Sequence, residues 1–137
     1  MPRFAFGCSL VCAALAAAGC GGGDNMYPVT GTVKFASGQV PQGEVAVVRF
    51  EPADMAANAE SKAASGKIAP DGSFRLTTID PNDGALAGDY KVVLTVYKTY
   101  AGRQSLINKK YTQAATTPLS AKVGPGGQSH FELVLDP

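Results

Sequence analysis

From Pro28 onward the chain alternates short β-rich runs with Gly/Pro/Asp clusters, a pattern that predicts a small all-β domain. Val29, Gly31, Val33 and Phe35 alternate with Thr30, Thr32 and Lys34, which predicts a first half-buried strand. Over residues 44–51, Ala46, Val48 and Phe50 form a more apolar set than Val45, Val47 and Arg49, so the first set is the expected core face. Runs at 65–68 and 73–78 flank Ala69-Pro70-Asp71-Gly72, a hairpin signal because Asp-Gly supplies the turn dihedrals. The clearest strand spans 88–98, with Tyr90, Val92, Leu94 and Val96 against Lys91, Val93, Thr95 and Tyr97. Val93 and Tyr97 on its second face predict cover on both sides, hence a central strand. Runs at 119–123 and 129–135 close the chain, with Phe131, Leu133 and Leu135 facing inward. Seven strands and no strong helix predict a sandwich of two antiparallel sheets. Two stretches fall outside this pattern. Residues 53–64 have helix-forming composition without an apolar stripe, which predicts a loop with at most one or two turns of helix. Residues 100–118 form a connection long enough to suggest a functional or partly structured loop.

The head of the chain differs. Arg3 is the only charge before Asp24, and residues 4–18 are apolar or small, as in a secretory signal. The run is shorter than the roughly 20 apolar residues of a spanning helix and ends in glycines, not in a basic cluster. Leu15-Ala16-Ala17-Ala18-Gly19-Cys20 resembles the bacterial lipobox, with Ala17 standing where leucine is usual. That resemblance implies a signal peptide at 1–19, a lipid-modified Cys20, and a flexible tether at 20–27 built on Gly21-Gly22-Gly23. An ordinary signal cut after Ala18 or Gly19, leaving a free Cys20 thiol, is the alternative. Gly21 follows the cysteine where aspartate would signal inner-membrane retention, so the outer membrane is the expected address. A short tether places the expected partner near the membrane surface.

Removing residues 1–19 from the 137 leaves 118, enough to bury a core in one domain. Cys8 and Cys12 leave with the signal, so the mature chain keeps Cys20 alone and has no intramolecular disulfide. Its charge balances at 11 basic and 11 acidic residues once Arg3 is gone, which argues against a nucleic-acid partner.

Valine, glycine and tyrosine motifs now suggest a family. Val29-Thr30-Gly31-Thr32-Val33, Asp71-Gly72-Ser73-Phe74, Gly88-Asp89-Tyr90-Lys91-Val92, Lys110-Tyr111 and Thr117-Pro118-Leu119 follow one another in order. Together they resemble the carboxypeptidase regulatory-like, transthyretin-like β-sandwich over residues 27–136, particularly its small bacterial lipoproteins. The resemblance implies a fold and an envelope location only, since most such lipoproteins have no assigned activity. Hydroxyisourate hydrolases on this fold use histidines and a C-terminal Tyr-Arg-Gly-Ser, whereas this chain ends Leu135-Asp136-Pro137 and has His130 as its one histidine.

Other chemistry is weighed residue by residue. His130 is out of phase with Phe131 and Leu133 and is expected to face solvent. No His/Cys zinc set can form from one histidine and the anchor cysteine, and no cofactor is expected. Asp80, Asn82, Asp83 and Asp89 offer hard oxygens, but their spacing fits tight turns better than a calcium loop. Lys34 lies on the polar phase of its strand, which excludes an isopeptide cross-link to the last strand. The late loop is the candidate for binding: Tyr100, Arg103, Lys109, Lys110 and Tyr111 combine aromatic rings with cations. The competing reading packs Tyr111 and Leu106 down to pin the loop, with the lysines solvated. The sequence therefore predicts a non-enzymatic, lipid-anchored envelope lipoprotein that binds or supports a protein or polysaccharide. A ligand-free structural spacer, or a small-molecule or carbohydrate carrier, is the alternative.

Overall fold

The computed structural model describes residues 26–54 and 62–137 of the chain. The signal peptide, Cys20 and the glycines after it lie outside the described residues, as does most of the helix-composed stretch 53–64. The fold is all-β. Its strands are β1 (Met26–Tyr27), β2 (Thr30–Phe35), β3 (Val45–Pro52), β4 (Ala64–Lys67), β5 (Ser73–Arg75), β6 (Ala85–Leu86), β7 (Gly88–Tyr97), β8 (Ser120–Val123) and β9 (His130–Leu135). A single turn of 3-10 helix, Lys109–Thr112, lies between β7 and β8. Among the described residues no helix is long and apolar enough to cross a membrane.

The strands form a four-stranded sheet in the order β4-β3-β7-β8, a three-stranded sheet β5-β2-β9, and a separate pair β1-β6. The two larger sheets face each other as a sandwich. The seven expected strands correspond to β2–β5 and β7–β9; the two-residue strands β1 and β6 are additional. Met26 and Tyr27, assigned above to the tether, instead pair with Leu86 and Ala85 and so belong to the folded domain.

Two further expectations change. The sheets are not both antiparallel: β9 runs parallel to β2, from Thr30↔His130 to Phe35↔Leu135. Side-chain alternation assigns faces but does not reveal which strand lies alongside or in which direction. The Ala69–Gly72 turn does form, with Gly72 at φ +88° and its N–H bonded to the Ala69 carbonyl at 2.8 Å. Its arms, however, diverge into different sheets and meet at the Ser65↔Thr77 bridge. It is a corner between layers, not a hairpin within one.

Alternation predicts the core faces correctly. Ala46, Val48 and Phe50 are buried on β3, Tyr90, Val92, Leu94 and Val96 on β7, and Phe131, Leu133 and Leu135 on β9. Phe50 lies at the centre, with ring centroids 5.5 Å from Phe131, 5.9 Å from Tyr90 and 6.3 Å from Phe74. Phe50 and Tyr90 belong to the larger sheet and Phe74 and Phe131 to the smaller, so this aromatic group joins the layers. Gly31 makes the approach possible, because a Cβ there would run into the Phe131 carbonyl oxygen and the Phe74 ring. Strand β7 is interior to its sheet, and Val93 on its outer face is only 7% exposed, matching a strand covered on both sides.

Candidate partner-binding loop

The connection from β7 to β8 is ordered by bonds to three other parts of the fold. Where β7 ends, the Lys98 carbonyl accepts from Glu44 N–H at 3.3 Å, and Tyr100 N–H donates to Glu44 Oε2 at 2.9 Å. Gly102 N–H donates to Thr99 Oγ1 at 2.9 Å, closing a tight excursion. The chain then returns along β7 through the Tyr97↔Ser105 bridge and Leu106 N–H to the Val96 carbonyl at 2.9 Å. Ile107 turns into the core. Asn108 caps the 3-10 turn by accepting from Lys110 N–H through Oδ1 at 3.1 Å.

Tyr111 pins this turn. Its side chain is buried, 1% exposed, and its hydroxyl accepts from Asp136 N–H at 2.9 Å while donating to Asp136 Oδ2 at 3.3 Å. Lys110 Nζ lies 2.6 Å from Asp136 Oδ2 and 4.9 Å from the Tyr111 ring centroid. Hydrogen bonding from Lys110 holds the Asp136 carboxyl below the usual carboxylate range, and the same bond raises the Lys110 ammonium above its ordinary value. Farther on, the buried Thr117 hydroxyl donates to the Val92 carbonyl at 2.7 Å, fastening the end of the loop to β7.

The candidate residues therefore separate into two groups. Tyr111 belongs to the core and cannot offer its ring to a partner, and Lys110 is engaged with Asp136. Leu106, expected to pack down, is 38% exposed; its neighbour Ile107 is buried instead. Lys109 and Arg103 are exposed, and Tyr100 presents 71% of its surface. Tyr100 and Arg103 lie on the excursion whose backbone Glu44 holds. Sequence reasoning missed Glu44 and Asp136, because these contacts span 56 and 25 residues and leave no local signal.

Position along the sandwich adds to this. Met26 enters at the Gly88 end of β7, since β1 pairs with the strand just before it. Tyr100 follows the opposite end of β7. Ten residues of strand separate those ends by about 30 Å. The excursion is thus on the side of the domain away from residue 26.

Other candidates resolve into structural roles. Asp83 accepts backbone N–H bonds from Thr78, Ile79 and Asp80 at 2.7, 2.9 and 2.8 Å, and Thr77 Oγ1 accepts from Asn82 N–H at 2.9 Å. Burial pushes the Asp83 carboxyl up, but those donors outweigh it and leave it below the usual range. This is turn chemistry: Asp83 faces N–H groups, and Asp89 lies on β7 outside that loop. Among the described residues no group of three or more His, Cys, Asp or Glu is placed to hold a metal. His130 is exposed, with Nδ1 3.1 Å from Thr30 Oγ1. No protein-family model, curated protein or solved structure matches this chain.

Proposed function

We propose that this protein is a lipid-anchored, non-enzymatic β-sandwich of the bacterial cell envelope, presenting its anchor-distal end to a protein or polysaccharide. The carrying observation is the lipobox-like Leu15–Cys20 segment placed just ahead of β1, the first described strand, at Met26–Tyr27. Only residues 21–25 intervene, so an anchor at Cys20 holds the Gly88 end of the sandwich toward the membrane. Tyr100 and Arg103 then project about 30 Å outward, which moves the expected partner away from the lipid surface. An exposed tyrosine on a braced backbone and a nearby guanidinium suit contact with a sugar ring or an acidic partner. The finer assignment to the carboxypeptidase regulatory-like, transthyretin-like group is part of this proposal. Its support is the pair of facing sheets of three and four strands, with the Asp71-Gly72 turn at a corner between them.

Two experiments test the reading. Full-length Cys20→Ser protein, expressed in a bacterium, should keep its uncut signal and run at precursor size. A membrane-bound variant of mature size would refute the anchor. Second, Tyr100→Ala combined with Arg103→Ala should reduce co-sedimentation with purified envelope polysaccharide, or recovery of envelope proteins, at unchanged thermal midpoint. Unchanged recovery in both assays assigns the domain a spacer role. Tyr111 is left intact in this variant because its loss would disturb the core.

A further inference from the structure

A second surface lies on the last strand. In a parallel ladder every second residue of a strand bonds to the neighbours on either side of its partner, and those between turn their backbone groups the other way. Thr30 N–H donates to the Ser129 carbonyl at 3.0 Å and Ala36 N–H to the Leu135 carbonyl at 2.9 Å, which sets the phase. Phe131, Leu133 and Leu135 therefore turn their backbone groups toward β2, whereas His130, Glu132 and Val134 turn theirs away. Asp136 continues the outward phase, and its N–H is taken by the Tyr111 hydroxyl. Upstream of that cap, β9 has no described strand along its outer side. Three successive outward residues thus present three donors and three acceptors along an edge that is open among the described residues.

Near the His130 end of this edge lies a groove of about 470 Å³, lined chiefly by β7, β8 and the turn after it, with Tyr90, Ala121, Lys122, Gln128 and, from β9, Phe131 in its wall. Val134, on the solvent face of β9, is 45% exposed. We propose that β9 is a strand-addition site for an extended segment of a partner protein, one that places a lysine or arginine opposite Glu132. Such a segment pairs its backbone with His130, Glu132 and Val134, and its alternate side chains turn to the inner face of the sheet, those beside Phe131 toward the groove. Charge selects this occupant over a second copy of the chain. Antiparallel self-pairing that engages all the outward groups sets Glu132 against Glu132 of the second copy, and like charges directly opposite destabilise a strand pair. Sliding by two residues to bring His130 against Glu132 leaves Val134 without an outward partner on β9. A basic strand satisfies both the full ladder and the central carboxylate. The site stands on the β9 edge alone, so it is independent of the anchor and of Tyr100.

The test uses the full-length chain in detergent and two blocked peptides, acetyl-Val-Thr-Val-Lys-Val-Thr-Val-amide and its counterpart with glutamate replacing lysine. The lysine peptide should slow amide hydrogen exchange at His130, Glu132 and Val134, and the glutamate peptide should bind about fivefold more weakly or worse. Glu132→Lys should reverse that preference. Glu132→Pro should abolish binding at little cost in stability, because the N–H it removes faces outward from an edge strand. Equal binding of the two peptides, unchanged exchange at those three amides, or their protection by self-association before any peptide is added would overturn the proposal.

Discussion

Gly31 is the position where one methyl group matters most. Its backbone lies against the Phe131 carbonyl and the Phe74 ring, so Gly31→Ala forces β2, β9 or the aromatic group to shift. A loss of about 1–3 kcal/mol is expected in urea unfolding, the usual cost of overpacking. Tyr111 and Tyr100 provide a contrast in the same loop. Tyr111→Ala removes a buried aromatic side chain and should cost about 3–5 kcal/mol, whereas Tyr100→Ala should stay within about 0.5 kcal/mol. Equal effects of the two substitutions would contradict the division of that loop into a buried pin and an exposed tip. Asp83 gives a pH-dependent case. Its folded pKa lies below the unfolded value of about 3.9, so its stabilisation is complete above that value and disappears as pH falls through the folded one. Asp83→Asn should therefore be less stable than the natural chain near neutral pH, with the gap narrowing toward about pH 3. Urea midpoints at the two pH values check this, and a gap independent of pH would refute it.

Among the elements, β7 is firmly specified, because it carries apolar residues on both faces and lies between β3 and β8. The late loop is less regular but equally tied down, through Glu44, Asp136 and Val92. Its clasp onto the end of β9 should respond to pH at both extremes. The Asp136 carboxyl is lowered and the Lys110 ammonium raised, each chiefly by their mutual hydrogen bond. The contribution of Asp136 is lost as pH falls through its folded value, and that of Lys110 as pH rises through its own, above about 10.4. Lys110→Met should speed amide exchange in the 3-10 turn at neutral pH, with less difference from the natural chain at both extremes. Hydrogen-exchange rates at Tyr111 and Thr112 measure the effect.

For the molecule as a whole, polarity along the long axis organises the functional reading. One end receives Met26 and the other carries Tyr100 and Arg103, while the β9 edge runs along the side between them. The proposed end-on contact and the proposed added strand thus use separate surfaces of the domain. The peptide experiment on Glu132 and the double substitution at Tyr100 and Arg103 address these surfaces independently, so one can fail without the other.

The alternation of apolar residues by itself determined the all-β class and the inward faces of β3, β7 and β9. These follow from local periodicity, since side chains two apart share a face whatever lies across from them. Tertiary structure alone decided that Ala69–Gly72 turns between layers, that β9 lies parallel to β2, and that Met26 and Tyr27 belong to the fold. It also decided that Tyr111 is core while Tyr100 is surface, although both are tyrosines in a polar loop. The physical reason is common to these cases. Each depends on a partner distant in sequence, such as Asp136 for Tyr111 or Glu44 for Tyr100, and a periodic pattern carries no record of which distant segment comes to lie beside it.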